Sequence, residues 1–177
     1  LTSTAGSYGT LALDAASGIW TYSLDNSRAA TQALAAGQKV HDSFIATITD
    51  NHGSTSQQTV DIVITGTNDL PVISGSSTGA VTEDDPQSVV SGTLAHVDAD
   101  TGDTFSWSLV TGCGTYGTFT FDTSSGIWNY SHDNSRAATQ ALAVGEHHTE
   151  SFTVRGVDAS GTPVNQVISI EINGSND

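Results

Sequence analysis

The sequence predicts an all-β protein, built as an antiparallel β-sandwich in tandem copies. Ser and Thr make up about a quarter of its 177 residues, and they favour turns and strands. Apolar side chains alternate with polar ones in many short runs, which is the period of half-buried strands. Long stretches also recur at a fixed offset of 108 residues. With 36% hydrophobic residues and 18 glycines, the chain can bury a core.

The internal repeat is the strongest of these signals. The run DNSRAATQALA occupies residues 25–35 and recurs unchanged at 133–143. The same offset relates residues 1–69 to residues 109–177 without a gap, and the segment 70–108 occurs once. A period of this length is too long for a solenoid unit, so it predicts a tandem array of whole domains.

The offset also predicts the domain boundaries. We expect residues 1–69 to be the C-terminal part of an incomplete first repeat and residues 70–177 to be a complete second repeat. The segment 70–108 could complete either half, and we favour 109–177 because Asn68-Asp69-Leu70-Pro71 has the character of a linker. Residues 1–69 would then lack strands and expose an inner face, which could pair with another chain by a strand swap.

The individual strands follow from the alternation, and each apolar series predicts one buried sheet face. Turn signals such as Ser17-Gly18 and Ser160-Gly161 separate the strands. The alternation favours core packing of Trp20 and Trp128 over a sugar-stacking platform. The predicted strands contain Trp20 and Tyr22; Phe44 and Ala46; Val60, Ile62 and Ile64; Phe119 and Phe121; Trp128 and Tyr130; Phe152 and Val154; and Ile168, Ile170 and Ile172.

One short segment has a helical composition. The alanines of residues 25–37 favour one or two helical turns, with Asn26 or Ser27 as the N-cap and Gly37 at the end. We expect Leu34 to pack inward from this segment, which bridges two strands.

The charge excludes several classes of partner. The chain has 19 acidic and 4 basic residues, a formal charge of −15, and it lacks the basic footprint that nucleic acid requires. No apolar run approaches the roughly 20 residues of a membrane helix, so we expect no membrane insertion. Cys113 is the single cysteine and cannot form an internal disulfide. The missing initiating Met leads us to expect an excerpt of a longer, exported protein.

We expect no enzymatic activity. The sequence contains no nucleophile elbow, H-E-x-x-H, P-loop or dinucleotide fingerprint. His132-Asp133 has Leu24-Asp25 as its repeat partner, which argues weakly against a catalytic pair, and His147-His148 is better explained as an exposed loop than as a metal site. A paired-carboxylate hydrolase stays open at this point.

The densest acidic group runs from Asp98 to Asp103, with Asp100 and Gly102 between. Calcium takes six to eight oxygen ligands, and alternating Asp residues around a Gly turn can present several of them. The alternative is that these residues only cap turns and solvate a loop. For this cluster we favour calcium, although the register of an EF-hand loop is absent.

Taken together, the motifs resemble VCBS-type repeats, which occur in tandem in giant bacterial surface adhesins of the RTX class. The motifs are Tyr-Gly-Thr, Ser-Gly-Ile-Trp-x-Tyr, Asp-Asn-Ser with x-Ala-Leu-Ala, and Ile-x-Ile-x-Gly-x-Asn-Asp, and both copies carry them. The resemblance implies a cadherin-like or immunoglobulin-like β-sandwich. It also implies type I secretion to the bacterial surface and a role in attachment and biofilm formation.

A second resemblance is to cadherins, in which calcium lies at domain junctions. It implies ligands from an Asn-Asp-x-Pro linker, an Asp-x-Asp segment, an early Glu and a later Asp. The matching residues here are Asn68, Asp69, Glu83, Asp98, Asp100 and Asp158.

These resemblances imply a calcium-binding extender module, with Ca²⁺ making the inter-repeat junction rigid. Its partners would be neighbouring repeats of the same chain, and host or biofilm surface ligands would be bound by other domains. Two alternatives are a carbohydrate- or ligand-binding module and an accessory domain of a secreted hydrolase.

Overall fold

The computed structural model describes residues 2–86 and 89–176, with side chains from Thr4 onward. The chain divides into two compact units. The first contains Leu1–Asp69 and Ala99–Gly102, and the second contains Leu70–Asp98 and Asp103–Asp177.

The second unit is an all-β sandwich of two four-stranded sheets, as the alternation predicts. One sheet has the order β10-β11-β8-β6 and the other has the order β7-β13-β12-β9. The strands of 70–108 therefore pair with those of 109–177. The strands are β6 (Val72–Gly75), β7 (Thr78–Thr82), β8 (Val89–Val97), β9 (Phe105–Thr111), β10 (Gly117–Phe121), β11 (Ile127–His132), β12 (His147–Asp158) and β13 (Pro163–Asn173).

One strand pairing departs from the predicted antiparallel arrangement. Strand β7 lies parallel to β13, with Thr78 opposite Ser169 and Thr82 opposite Asn173. The other strand pairs described in this unit are antiparallel, including the long hairpin in which His147 faces Asn173.

The core of the second unit lies between its two sheets. Trp128 and Tyr130 of β11 and Ile168, Ile170 and Ile172 of β13 are fully buried at alternate positions, as the period of two predicts. The ring of Phe119 stacks on Phe152 at 4.3 Å between centroids. This core contains Val81, Leu94, Phe119, Trp128, Tyr130, Leu142, Phe152, Val154, Ile168, Ile170 and Ile172.

The first unit contains the counterparts of only part of this sandwich. A three-stranded sheet has the order β1-β2-β3, and a separate hairpin pairs β4 with β5 over eleven residue pairs. Its buried apolar side chains are Leu11, Leu34, Phe44 and Ile64. The elements are β1 (Thr2–Ala5), β2 (Gly9–Leu13), β3 (Trp20–Leu24), α1 (Ala29–Gln32), β4 (Lys39–Thr49) and β5 (Thr55–Thr65).

The short helix α1 confirms the expected helical turn, and Leu34 is 4% exposed just after it. Its N-cap is Arg28, without a side-chain cap hydrogen bond, and not Asn26 or Ser27. Asp25 holds this turn instead, since it accepts hydrogen bonds from the backbone and hydroxyl of Ser27. In the part of the chain that the structure describes, no helix is long and apolar enough to span a bilayer.

Candidate calcium site

The acidic loop 98–103 connects β8 to β9. Asp98, Asp100 and Asp103 each offer a carboxylate oxygen, and these three atoms lie within 4.8 Å of one another. Gly102 has a φ of +80°, a left-handed conformation that glycine adopts at little cost, and this lets the loop turn back sharply. The clustering expected from the sequence is therefore present in the structure.

Asp100 is the most buried member of the loop, with 4% of its surface exposed. Its Oδ2 accepts a hydrogen bond from the backbone N–H of Asp69 at 2.9 Å. The next residue, Thr101, donates its N–H to the carbonyl of Ala33 at 3.1 Å. These bonds hold Asp100 in the first unit beside the linker residue Asp69.

Asn68 is the other linker residue in the predicted ligand set. Its side-chain Nδ2 donates to the carbonyl of Asp69 at 2.7 Å, and its side chain is partly buried. This bond holds the Asn68 carboxamide next to the backbone of Asp69, within the linker.

In the second unit, Asp103 and Asp158 lie at the same end of the sandwich. Asp103 Oδ1 accepts from the backbone N–H of Ala159 at 3.2 Å, immediately after Asp158. Asp158 ends β12 opposite Phe105 and is 5% exposed. Its Oδ1 accepts from the Ser160 hydroxyl at 2.7 Å and so also stabilises the β12–β13 turn.

Glu83 lies at the other end of the same sandwich. It follows β7, whose last residue, Thr82, pairs with Asn173, and its Oε2 accepts from the Ser175 N–H at 3.1 Å. Asn173 faces His147 at the start of β12, and Asp158 ends that strand. Twelve residues of strand separate the two ends by roughly 35 Å. The structure therefore does not bring Glu83 to the acidic loop.

Glu83 is 1% exposed and lies close to a second buried ionisable group. His132, the last residue of β11, is 5% exposed, and its burial lowers the pKa of the imidazole, although the negative charge of Glu83 opposes this shift. Among the described residues, neither ring nitrogen of His132 has a hydrogen-bond partner. A buried histidine with a lowered pKa is uncharged at neutral pH.

Asp133 does not join a ligand cluster among the described residues. Its carboxylate accepts from the backbone and hydroxyl of Ser135, and these bonds, with that from Arg136, lower the pKa of Asp133. It has the same role in its turn as Asp25 in the first repeat.

Sequence reasoning did not single out Glu150 and Asp42. Both are buried carboxylates on inward positions of β12 and β4, and they accept hydrogen bonds from Tyr130 and Tyr22. The signal that could have found them is an acidic residue on the apolar face of a strand, repeated at the offset of 108.

The donor set of the acidic loop fits calcium. Its three side chains offer only carboxylate oxygens, which are the ligands that a hard divalent cation prefers. Calcium takes six to eight oxygens, so carbonyls of the loop and water would complete its coordination.

Comparison with known proteins supports the same fold. A family model described as bacterial cadherin-like domain matches residues 68–174. The extracellular cadherin domains 1–4 of protocadherin gamma B7 match 99% of this chain at 19% identity and a TM-score of 0.53. Domains 1–4 of Drosophila N-cadherin match 97% at 18% identity and a TM-score of 0.49.

The chain spans about two fifths of these solved structures, 42% of the first and 40% of the second. A search of curated proteins finds no significant match. Because the family model covers more than half of the sequence, the chain belongs to the family of bacterial cadherin-like domains.

Proposed function

We propose that this chain is a calcium-binding extender module of a large bacterial surface adhesin. The observation that carries the proposal is the convergence of Asp98, Asp100 and Asp103 within 4.8 Å, in a chain of charge −15. The cadherin-like fold is an adhesion-type architecture, which supports an extracellular role.

The proposed mechanism follows from charge repulsion. Two unit charges at the spacing of the loop carboxylates repel by on the order of 3 kcal/mol at an effective dielectric constant near 20. A bound divalent cation would supply the compensating positive charge. Asp98, Asp100 and Asp103 would then hold the loop in one conformation, and the connection between successive repeats would become stiffer.

The proposed cellular context is a secreted array of such repeats. We propose export by a type I route and display on the bacterial surface, where neighbouring repeats of the same polypeptide are the direct partners. Other domains would bind the host or biofilm ligand, and the repeats would hold them away from the cell. Such a role needs no catalytic residues in the repeats.

Calcium titration tests the proposal. We expect heat of binding in calorimetry, with a dissociation constant on the order of 10⁻⁴ to 10⁻³ M, as for other extracellular modules. Millimolar calcium should also raise the melting temperature, because it binds the folded state. No heat and no change in melting temperature would refute calcium binding.

A matched pair of variants locates the site. Asp100→Asn removes a central carboxylate and should abolish most of the calcium-dependent rise in melting temperature. Asp122→Asn is the control, because Asp122 is exposed and bonded only within its own turn, to Ser124 and Ser125. A full rise in Asp100→Asn would place the site elsewhere.

A further inference from the structure

The two strands that carry the acidic loop 98–103 belong to different sheets. The loop leaves β8, which pairs with β11 and β6, and enters β9, which pairs with β12. These pairings place β8 in one sheet of the sandwich and β9 in the other. Side chains that meet between the sheets therefore set the separation of the two ends of the loop.

Two aromatic rings lie between these ends. The rings of His96 and Phe105 stack, with 3.7 Å between their centroids and 12° between their planes. His96 lies two residues before Asp98, and Phe105 lies two residues after Asp103. The stack thus joins the stems of the loop at the same number of residues from its first and its last carboxylate.

Contacts inside the sandwich hold the Phe105 ring in place. The tip of the ring lies over Gly156 of β12, where a Cβ would overlap it. Phe105 also meets Trp107 edge to face at 4.8 Å between centroids, and Trp107 meets Phe121 in the same way at 5.6 Å. Because Trp107 and Phe121 pack against the core of the second unit, the Phe105 ring is anchored to that core.

The carboxylate of Asp103 is coupled to this anchored stem. Its Oδ1 accepts the backbone N–H groups of Thr104 at 2.9 Å and of Ala159 at 3.2 Å. Thr104 directly precedes Phe105, and Ala159 follows the end of β12. Movement of the stem would therefore move the carboxylate as well.

We propose that the stack of His96 on Phe105 is a spacer that makes the acidic loop selective for calcium over magnesium, an inference that rests on the calcium binding proposed above. Rings with centroids 3.7 Å apart are already in van der Waals contact, so the stems cannot approach each other further.

The sizes of the two ions explain the selectivity. Calcium binds oxygens at about 2.3–2.6 Å and magnesium at about 2.0–2.1 Å, so oxygens on opposite sides of the ion are about 5 Å apart for calcium and about 4 Å apart for magnesium. Magnesium would require the ends of the loop to move closer together. A loop whose stems are held apart by two stacked rings therefore fits the larger ion.

Four variants test the spacer. His96→Ala removes one ring of the stack, whereas His96→Phe keeps an aromatic ring that has no nitrogen ligand. Phe105→Leu removes the other ring but keeps most of its apolar volume. His148→Ala is the matched control, because His148 is also exposed and also lies beside an aromatic ring, that of Tyr116. His148 is near the start of β12, whereas the acidic loop lies near its end at Asp158.

Calorimetric titration with calcium and with magnesium measures the selectivity. In His96→Ala and Phe105→Leu, the ratio of calcium affinity to magnesium affinity should fall at least about tenfold, which is the usual effect of losing a group that orients metal ligands. In His96→Phe and His148→Ala, the ratio should stay within about twofold of wild type.

Amide hydrogen exchange in the metal-free protein tests the spacer without any ion. The N–H groups of Thr104 and Ala159 report whether Asp103 is held, because both donate to its carboxylate. Their exchange should be at least about fivefold faster in His96→Ala than in wild type, and unchanged in His96→Phe and His148→Ala.

Each of three results would overturn the proposal. Unchanged exchange in His96→Ala would show that the stack does not position the loop. An unchanged affinity ratio in both His96→Ala and Phe105→Leu would show that it does not select the ion. Equal loss of calcium affinity in His96→Phe and His96→Ala would show that the imidazole acts as a ligand. If the wild-type chain binds neither ion, the proposed function and the selectivity both fall, and the exchange rates still decide whether the stack holds the loop.

Discussion

The phenol of Tyr130 donates a hydrogen bond of 2.6 Å to the buried carboxylate of Glu150. Tyr130 is on β11 and Glu150 is on β12, so this bond joins the two sheets of the sandwich. The same carboxylate accepts the backbone N–H groups of Thr115 and Tyr116, which precede β10. We call this arrangement the carboxylate clamp.

The first repeat contains a second carboxylate clamp. Tyr22 donates to Asp42 at 2.6 Å, and the N–H groups of Ser7 and Tyr8 donate to the same carboxylate. Burial alone would raise the pKa of Asp42, but the hydrogen bonds from Tyr22 and the backbone outweigh it and lower the pKa. The first repeat therefore forms the same clamp with Asp42, although the side chain of Asp is shorter than that of its counterpart Glu150.

Removing the Tyr130 hydroxyl tests the clamp. In Tyr130→Phe, Glu150 loses one of its donors inside the core, and we expect a loss of about 1–3 kcal/mol in the free energy of unfolding of the second unit. Tyr22→Phe should cost less, because the partly exposed Tyr22 lets water replace the hydroxyl. Urea titration followed by amide NMR signals of β11 and β3 measures each unit. Equal losses would contradict this account.

The clamp also predicts a pH dependence at high pH. Desolvation, followed by the hydrogen bond to Asp42 and its charge, raises the pKa of Tyr22 from 10.0 to about 12. Because the folded state holds this proton more tightly, the stabilisation is fully present below pH 10 and is lost as the pH rises towards 12.

The comparison of wild type with Tyr22→Phe isolates this effect. Between pH 10 and pH 12 the unfolding free energy of wild type should fall more steeply than that of the variant, since only wild type carries this group. Tyrosinate absorbance gives an independent reading of the titration. Parallel curves for the two proteins would show that Tyr22 titrates normally.

Two equivalent glycines should respond differently to substitution. Gly18 and Gly126 have φ values of +74° and +71°, so alanine strains both turns alike. A Cβ at Gly126 would lie 2.3 Å from the carbonyl oxygen of Leu94, whereas the same atom at Gly18 meets nothing within 4 Å.

We therefore expect Gly18→Ala to cost about 1 kcal/mol and Gly126→Ala about 2–4 kcal/mol. The difference isolates the steric conflict with β8, because the backbone strain is common to both. Denaturant titration of the two variants measures it. Equal costs would mean that β8 can move away from the turn at Gly126.

A substitution of Glu83 tests whether this residue contributes to calcium binding by the acidic loop 98–103. Because Glu83 lies at the opposite end of the second unit from Asp158, Glu83→Gln should leave calcium binding by the loop unchanged, with an affinity within about twofold of wild type. Calorimetry on Glu83→Gln beside Asp100→Asn makes the comparison. A loss of calcium affinity in Glu83→Gln would show that Glu83 contributes to calcium binding by the loop.

Much of the fold could be predicted, because alternation reports directly which side chains face a core. The series at Phe152 and Ile168 confirms this, since both residues are buried. The parallel pairing of β7 with β13 could not be predicted, because strand direction depends on the path of the chain between strands. Residues 78–82 carry no signal of that path.

The candidate site was predictable where its ligands are adjacent in sequence. Asp98, Asp100 and Asp103 share one loop, so their density alone indicated a cluster. Glu83 is only fifteen residues from Asp98 in the sequence, but strand β8 lies between them and spans the sandwich, so the two residues are at opposite ends. The position of Asp158 beside the loop likewise follows from the pairing of β12 with β9.

The sequence by itself determined the repeat, the strands, the acidic loop and the excess of negative charge, because these are properties of residues and their spacing. Only the tertiary structure decided which strands pair with those of the segment 70–108. Two copies of Ser-Gly-Ile-Trp show the difference, with Trp128 fully buried and Trp20 45% exposed. Local sequence sets the direction in which a side chain points, but its burial depends on the strands that pack over it.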